Sequence, residues 1–146
     1  MNLDLVKMLA SSARGMLDSS VLGPLEGYQA ASAGAFGMAL MILGDQFDGA
    51  VEKLTEENAA IRVIAAQASS RVDGELGERL STAATEQDAS LRVSVLQASN
   101  DALRSLLIEL HAWVEDAGDS AADLDEVIWS ELLRSTQRRH VALGPF

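Results

Sequence analysis

The sequence predicts an all-α fold, an antiparallel up-down bundle of four main helices with an additional short N-terminal helix. Three observations carry this. Apolar residues return every third or fourth position along most of the 146 residues. No stretch alternates apolar and polar residues as a half-buried strand would. Prolines occur only at 24 and 145, both at expected helix punctuation, while the strong helix formers alanine, leucine and glutamate are abundant.

The first helix is expected from about Asn2 to Ser19, with Leu5, Met8, Leu9, Ser12, Ala13, Met16 and Leu17 on one mostly apolar stripe. Gly23 breaks it, and Pro24 opens the second at the position where a missing N–H costs nothing. Phe36, Leu40, Leu43, Phe47 and Leu54 continue the apolar rhythm, and the glycines at 34, 37 and 44 point to close packing or a bend. Thr55-Glu56-Glu57-Asn58 reads as a hydroxyl N-cap followed by acids, so a boundary is expected there. One helix from 24 to 72 would be roughly 70 Å long, more than a compact domain of this mass accommodates. The third helix follows Ile61, Ile64, Ala65, Ala68, Val72, Leu76 and Leu80, with Gly74 and Gly77 able to kink or split it. The fourth starts near Thr85 to Asp88, carries Leu91, Leu96, Leu103, Leu107, Leu110 and Val114, and ends at Ala117-Gly118-Asp119. Ser120-Ala121-Ala122-Asp123 resembles a capping box ahead of the last helix, which holds Leu124, Val127, Ile128, Leu132 and Leu133. The whole reads as a single helical-bundle domain, 1–146.

The residue inventory narrows the chemistry. There is no cysteine, which rules out thiol catalysis and thiolate metal sites. Two histidines, His111 and His140, are too few for a histidine-rich zinc set, and neither sits in Glu-x-x-His. His111 and Glu115, one turn apart, form at most a single His-plus-acid face. No phosphate-binding glycine loop and no nucleophile elbow occurs, and the acids from Glu115 to Glu126 lack the order of a calcium loop. We therefore expect no catalytic, metal or cofactor site.

With 22 acids against 11 bases the formal charge is −11, a field that repels phosphate backbones and anionic headgroups. No nucleic-acid or membrane partner is expected. The uncharged run from Gly27 to Gly44 is eighteen residues long, but its first half is Ala, Gly, Ser and Gln, and acids flank it. The start of the chain carries no secretory or transit pattern, so a cytoplasmic location is the expectation.

Two functional leads remain. Ala30, Gly34, Gly37 and Met41 lie on one side of the second helix, and Phe36, Leu40, Leu43 and Phe47 form another. A helix with two apolar faces has two things to pack against, one of them a subunit interface, which makes a homo-oligomer, most simply a two-fold dimer, the expectation. Residues 134–146 hold Arg134, Arg138 and Arg139 and no acid, so Arg134, Arg138 and His140 are a candidate anion or partner site. The sequence thus favours a non-enzymatic, self-associating interaction module, with a possible protein partner. The alternative is a bundle that holds an apolar or anionic small molecule between its helices.

Overall fold

The computed structural model describes residues 4–18 and 27–140, and within them the regular structure is helical, with no strand. The sequence expectations for Gly23, Pro24 and Pro145 lie outside the described residues. The elements are α1 (Leu5–Leu17), α2 (Tyr28–Ala68), α3 (Gly74–Thr85), α4 (Val93–Ala117), a 3-10 turn (Gly118–Ala121) and α5 (Ala122–Arg138). Contacts divide the described residues into two units, one up to Ala50 and the other Val51–His140, and α2 contributes to both.

In the first unit, Asp4 caps α1 by accepting a hydrogen bond from the Lys7 amide at 3.1 Å. Ala13 is fully buried. A Cβ at Gly37 would lie 2.8 Å from Leu17 Cγ and 3.2 Å from the Ala13 carbonyl, and one at Gly44 would lie 3.7 Å from Leu9 Cβ. Leu17 therefore sits against Gly37 and Leu9 against Gly44, so α1 and α2 run in opposite directions. The glycines permit the close approach.

The second unit holds a continuous core. Ile61, Ile64, Ala65 and Ala68 of α2 meet Leu80 and Ala83 of α3, Leu103, Leu107 and Leu110 of α4, and Leu124 and Ile128 of α5. Each fully buried Leu or Ile contributes roughly 1.5–3 kcal/mol relative to exposure. Among the described residues this unit, not the first, holds nearly all the large buried side chains.

Two boundaries differ from the sequence expectation, while the split allowed for at Gly74 does occur. No break occurs at Thr55–Asn58: α2 runs through it, because Glu57 and Asn58 turn inward to tertiary partners instead of capping a new helix. The length argument assumed one core for the whole helix, whereas its two halves pack in different units. The real break falls at residues 69–73. Gly74, the first residue of α3, takes φ +74°, and within the break Arg71 donates to both Asp123 carboxylate oxygens and to the Ser120 carbonyl. Gly77 does not kink α3 but is buried against the Val72 carbonyl. The fourth helix starts at Val93, since Asp88 is drawn into side-chain bonds that hold residues 86–92 outside a helix. The Ser120 capping box does not form: Ser120 Oγ donates to the Ala117 carbonyl, and Ala121 occupies the cap position without a side-chain bond. Asp123 and Asp125 still place negative charge in the first turn of α5.

Candidate functional site

The most organised polar feature is a network inside the second unit, built on residues that interrupt apolar stripes. Along α2, Glu57 and Asn58 stand between Leu54 and Ile61; along α4, Asn100 stands between Leu96 and Leu103. All seven are buried. A polar side chain in such a position needs partners, because an unsatisfied buried polar group costs about 1–3 kcal/mol.

The partners arrive from four segments. Arg139, at the C-cap of α5, donates to Glu57 Oε2 at 2.9 Å and to Asn100 Oδ1 at 3.1 Å. Asn100 Nδ2 donates to Asn58 Oδ1 at 3.0 Å, and Asn58 Nδ2 donates to Asp88 Oδ1 at 3.0 Å. The guanidinium can only donate and the carboxylate can only accept. The two amides are therefore oriented head to tail between a cation and an anion, an arrangement in which each bond polarises the next. Arg62 closes the Asp88 end, its Nη2 donating to Asp88 at 2.7 Å and to Ser99 Oγ at 3.1 Å. At the other end Arg104 Nη1 and Ser135 Oγ both donate to Glu57 Oε1, at 2.5 and 3.0 Å.

Electrostatics follow from this wiring. Burial pushes the Glu57 carboxyl up, but hydrogen bonds from Arg139, Arg104 and Ser135 outweigh it and hold the group below its ordinary value. The Asp88 carboxyl is lowered chiefly by the Arg62 hydrogen bond, against the opposing effect of burial and with help from Asn58 and Ser99. Both are carboxylates at neutral pH, each answered by arginine. Every acid in the network has its charge balanced, and no base stands ready to take a proton from a substrate. The geometry is that of a polar element tying α2, α4 and α5 together.

The sequence-predicted cationic residues do not converge. Arg134 is exposed and lines a groove of about 440 Å³ between α2 and α5, with Ala60, Val63 and Val127. Arg138 pairs with the buried Glu131, and His140 lies exposed beyond the end of α5. Arg139 is the arginine of this group that joins the Glu57–Asn100 network. Its sequence signal was indirect: the polar residues at 57, 58 and 100, on otherwise apolar stripes, called for a partner that spacing could not identify.

His111 does not pair with Glu115. Its Nε2 lies 3.2 Å from Asp125 Oδ1, and its ring meets Trp129 edge-to-face with centroids 5.4 Å apart. Among the described residues no group of three or more His, Asp or Glu side chains could hold a metal ion. No described helix is long and apolar enough to cross a membrane.

The predicted small-residue face is divided. Gly37 is buried under α1, Gly34 and Met41 are half-buried, and Ala30 is exposed. On the flank beside it, Phe36, Leu43 and Phe47 are 66%, 55% and 54% exposed. An open hollow of about 880 Å³ lies between α3, residues 86–92 and α4, floored by Ala83, Leu103 and Leu106. Comparison with family models, curated proteins and solved structures found nothing that matches this chain.

Proposed function

We propose that the protein is a non-enzymatic interaction module, with residues 51–140 an up-down four-helix bundle and the α1–α2 hairpin a self-association element. The observation that carries the reading is the exposure of Phe36, Leu43 and Phe47 on α2. Leu5, Met8 and Met16 of α1 are also exposed. Helical periodicity places each set to one side of the α1–α2 contact line. Because the helices run oppositely, the two sets share a side of the hairpin. Six side chains about half exposed present on the order of 500 Å² of apolar surface, at roughly 150–250 Å² for a whole aromatic. That is about two thirds of the roughly 800 Å² that each partner contributes to a standard interface, and a polar rim supplies the remainder.

Two helices cannot enclose side chains of this size, but two hairpins can enclose each other's. The described part of this unit holds Asp4, Asp18, Asp45 and Asp48 against Lys7 and Arg14, so little like-charge repulsion opposes the pairing of copies. The contact thus runs through the large-residue flank, since α1 already occupies Gly37. Sedimentation equilibrium of the full chain should give a mass above the monomer. Leu43→Glu combined with Phe47→Glu should lower it by one level of assembly, and a mass–concentration profile unchanged by the pair overturns the reading.

The hollow against α3 and α4 favours a second reading, a ligand-binding bundle. Its size falls in the range of small-molecule sites, roughly 300–1,000 Å³. Arg62 at its edge is committed to Asp88, and Glu78 and Glu86 line it, so an apolar ligand suits it better than an anion. Native mass spectrometry of the freshly purified protein should then find an adduct that is lost in an Ala102→Trp variant. A clean apo mass in gently prepared samples counts against this second reading.

A further inference from the structure

The hollow between α3, residues 86–92 and α4 arranges its polar groups in a way that selects among ligands. Ala83, Leu103 and Leu106 form its floor, and Ala98 and Ala102 extend the apolar surface along α4. Its cations are already committed. Arg62 Nη2 donates to Asp88 and to Ser99, and Arg79 holds Glu109 with two bonds of 2.6 and 2.8 Å. Arg62 Nε has no partner but is shut off from solvent, so it presents no donor to a ligand. Thr82 Oγ1 gives its proton to the Glu78 carbonyl.

What stays uncommitted is mainly negative. The Glu78 and Glu86 carboxylates line the hollow and, among the described residues, form no ion pair or hydrogen bond. Gln87, whose amide both donates and accepts, lines it too, whereas Arg92 does not. With the partners of Arg62 and Arg79 included, two guanidinium groups face four carboxylates. The two free carboxylates stand at opposite ends. The Glu86 amide still donates to the Thr82 carbonyl, so the rise of α3 carries through to it. Residues 78 and 86 are therefore about 12 Å apart along the helix axis, with the apolar floor between them.

We propose that the hollow binds a linear aliphatic diamine, its methylene chain on the apolar floor and one ammonium on each of Glu78 and Glu86. The proposal rests on the reading of the hollow as a ligand site and names the class of ligand. An extended eight-carbon chain sets its two nitrogens about 11 Å apart, at roughly 1.2 Å per bond as in an extended backbone. An anion would meet two carboxylates and no free cation. A wholly apolar molecule would strip water from both carboxylates without replacing it. A single exposed ion pair is weak, so both ends and the chain between them have to act together.

Isothermal titration of the full chain with diaminooctane at low ionic strength should show saturable binding to one site. Diaminopropane, too short to span the carboxylates, should bind more than about tenfold more weakly, since each methylene buried adds up to about fourfold. Glu78→Gln and Glu86→Gln should each weaken diaminooctane about fivefold. In the double variant diaminooctane should bind no better than octylamine, which has one amine. Ala102→Trp, with an unchanged far-ultraviolet dichroism spectrum, should lose binding, and Glu126→Gln on α5 should leave it intact. Equal affinity for diaminooctane and octylamine in the wild type overturns the proposal. So does an effect of Glu126→Gln as large as that of Glu78→Gln, which would mean attraction to the acidic surface at large. If the diamine fails while native mass spectrometry finds an adduct lost in Ala102→Trp, the hollow remains a ligand site for another class. If both fail, the ligand-site reading falls with the proposal.

Discussion

Gly77→Ala is expected to destabilise the unit formed by residues 51–140 by about 3 kcal/mol or more. Helix propensity alone says the reverse, since alanine in place of a mid-helix glycine is favourable by about 1 kcal/mol. Sterics decide the sign. A Cβ at Gly77 would lie 1.9 Å from the Val72 carbonyl oxygen and 2.9 Å from its carbon. Both are backbone atoms, so no side chain can swing away; the turn joining α2 to α3 has to move, and Val72 in that turn is itself a core residue. Overpacking of even flexible neighbours costs about 1–3 kcal/mol, and a backbone collision exceeds that. In thermal unfolding the midpoint should fall by more than about 10 °C. Gly34→Ala is the control, because nothing lies within 4 Å of its added Cβ and it sits inside α2. It should be neutral or stabilising. If both substitutions shift the midpoint alike, the close approach at Gly77 is not what requires glycine.

The second large effect is at Glu57. Glu57→Ala removes a carboxylate whose side chain is 4% exposed and leaves Arg104, Arg139 and Ser135 without their common acceptor. Breaking a buried ion pair by removing one partner costs about 3–5 kcal/mol. Arg104 and Arg139 are 39% and 47% exposed and regain water, which sets the expected loss near the lower figure, about 3 kcal/mol in a denaturant titration. Glu57→Gln keeps the shape and the acceptor oxygen and should lose less. Acid discriminates further. The folded Glu57 and Asp88 carboxyls lie below their ordinary values of 4.5 and 3.8. Their contribution is complete above those values and is lost as pH falls through the lower folded ones. Stability of the wild type should therefore decline as pH drops below about 4.5, and more gently in Glu57→Gln. An equal acid slope in the two proteins would mean that Glu57 is not held as a charged group.

The network also explains why its members escaped a reading by spacing. Asn58 and Asp88 are 30 residues apart, Asn58 and Asn100 are 42, and Glu57 and Arg139 are 82. Local spacing has no access to such pairings. Thr55-Glu56-Glu57-Asn58 carries the composition of a helix start, but composition does not say whether Glu57 and Asn58 face solvent or a neighbouring helix. Spacing likewise does not say where the arginines near the end of α5 point. Arg134 and Arg138, one turn apart near the end of α5, and Arg139 at its C-cap point in different directions, one to a groove, one to Glu131, one to Glu57.

What the amino-acid order determined by itself was whatever depends on neighbours within a turn or two. That covers the helical class, the extent of α1 to within two or three residues, the end of α4 at Gly118, and the presence of two apolar faces on α2. Backbone geometry and side-chain periodicity act over that range. Tertiary structure decided the rest: that α2 passes unbroken through Thr55, that α1 covers Gly37, and that Arg139 and not Arg134 reaches the buried carboxylate. The reason is energetic. A buried acid or amide gains more from a distant partner than a cap residue gains at a helix start, so the long-range contact overrides the local signal.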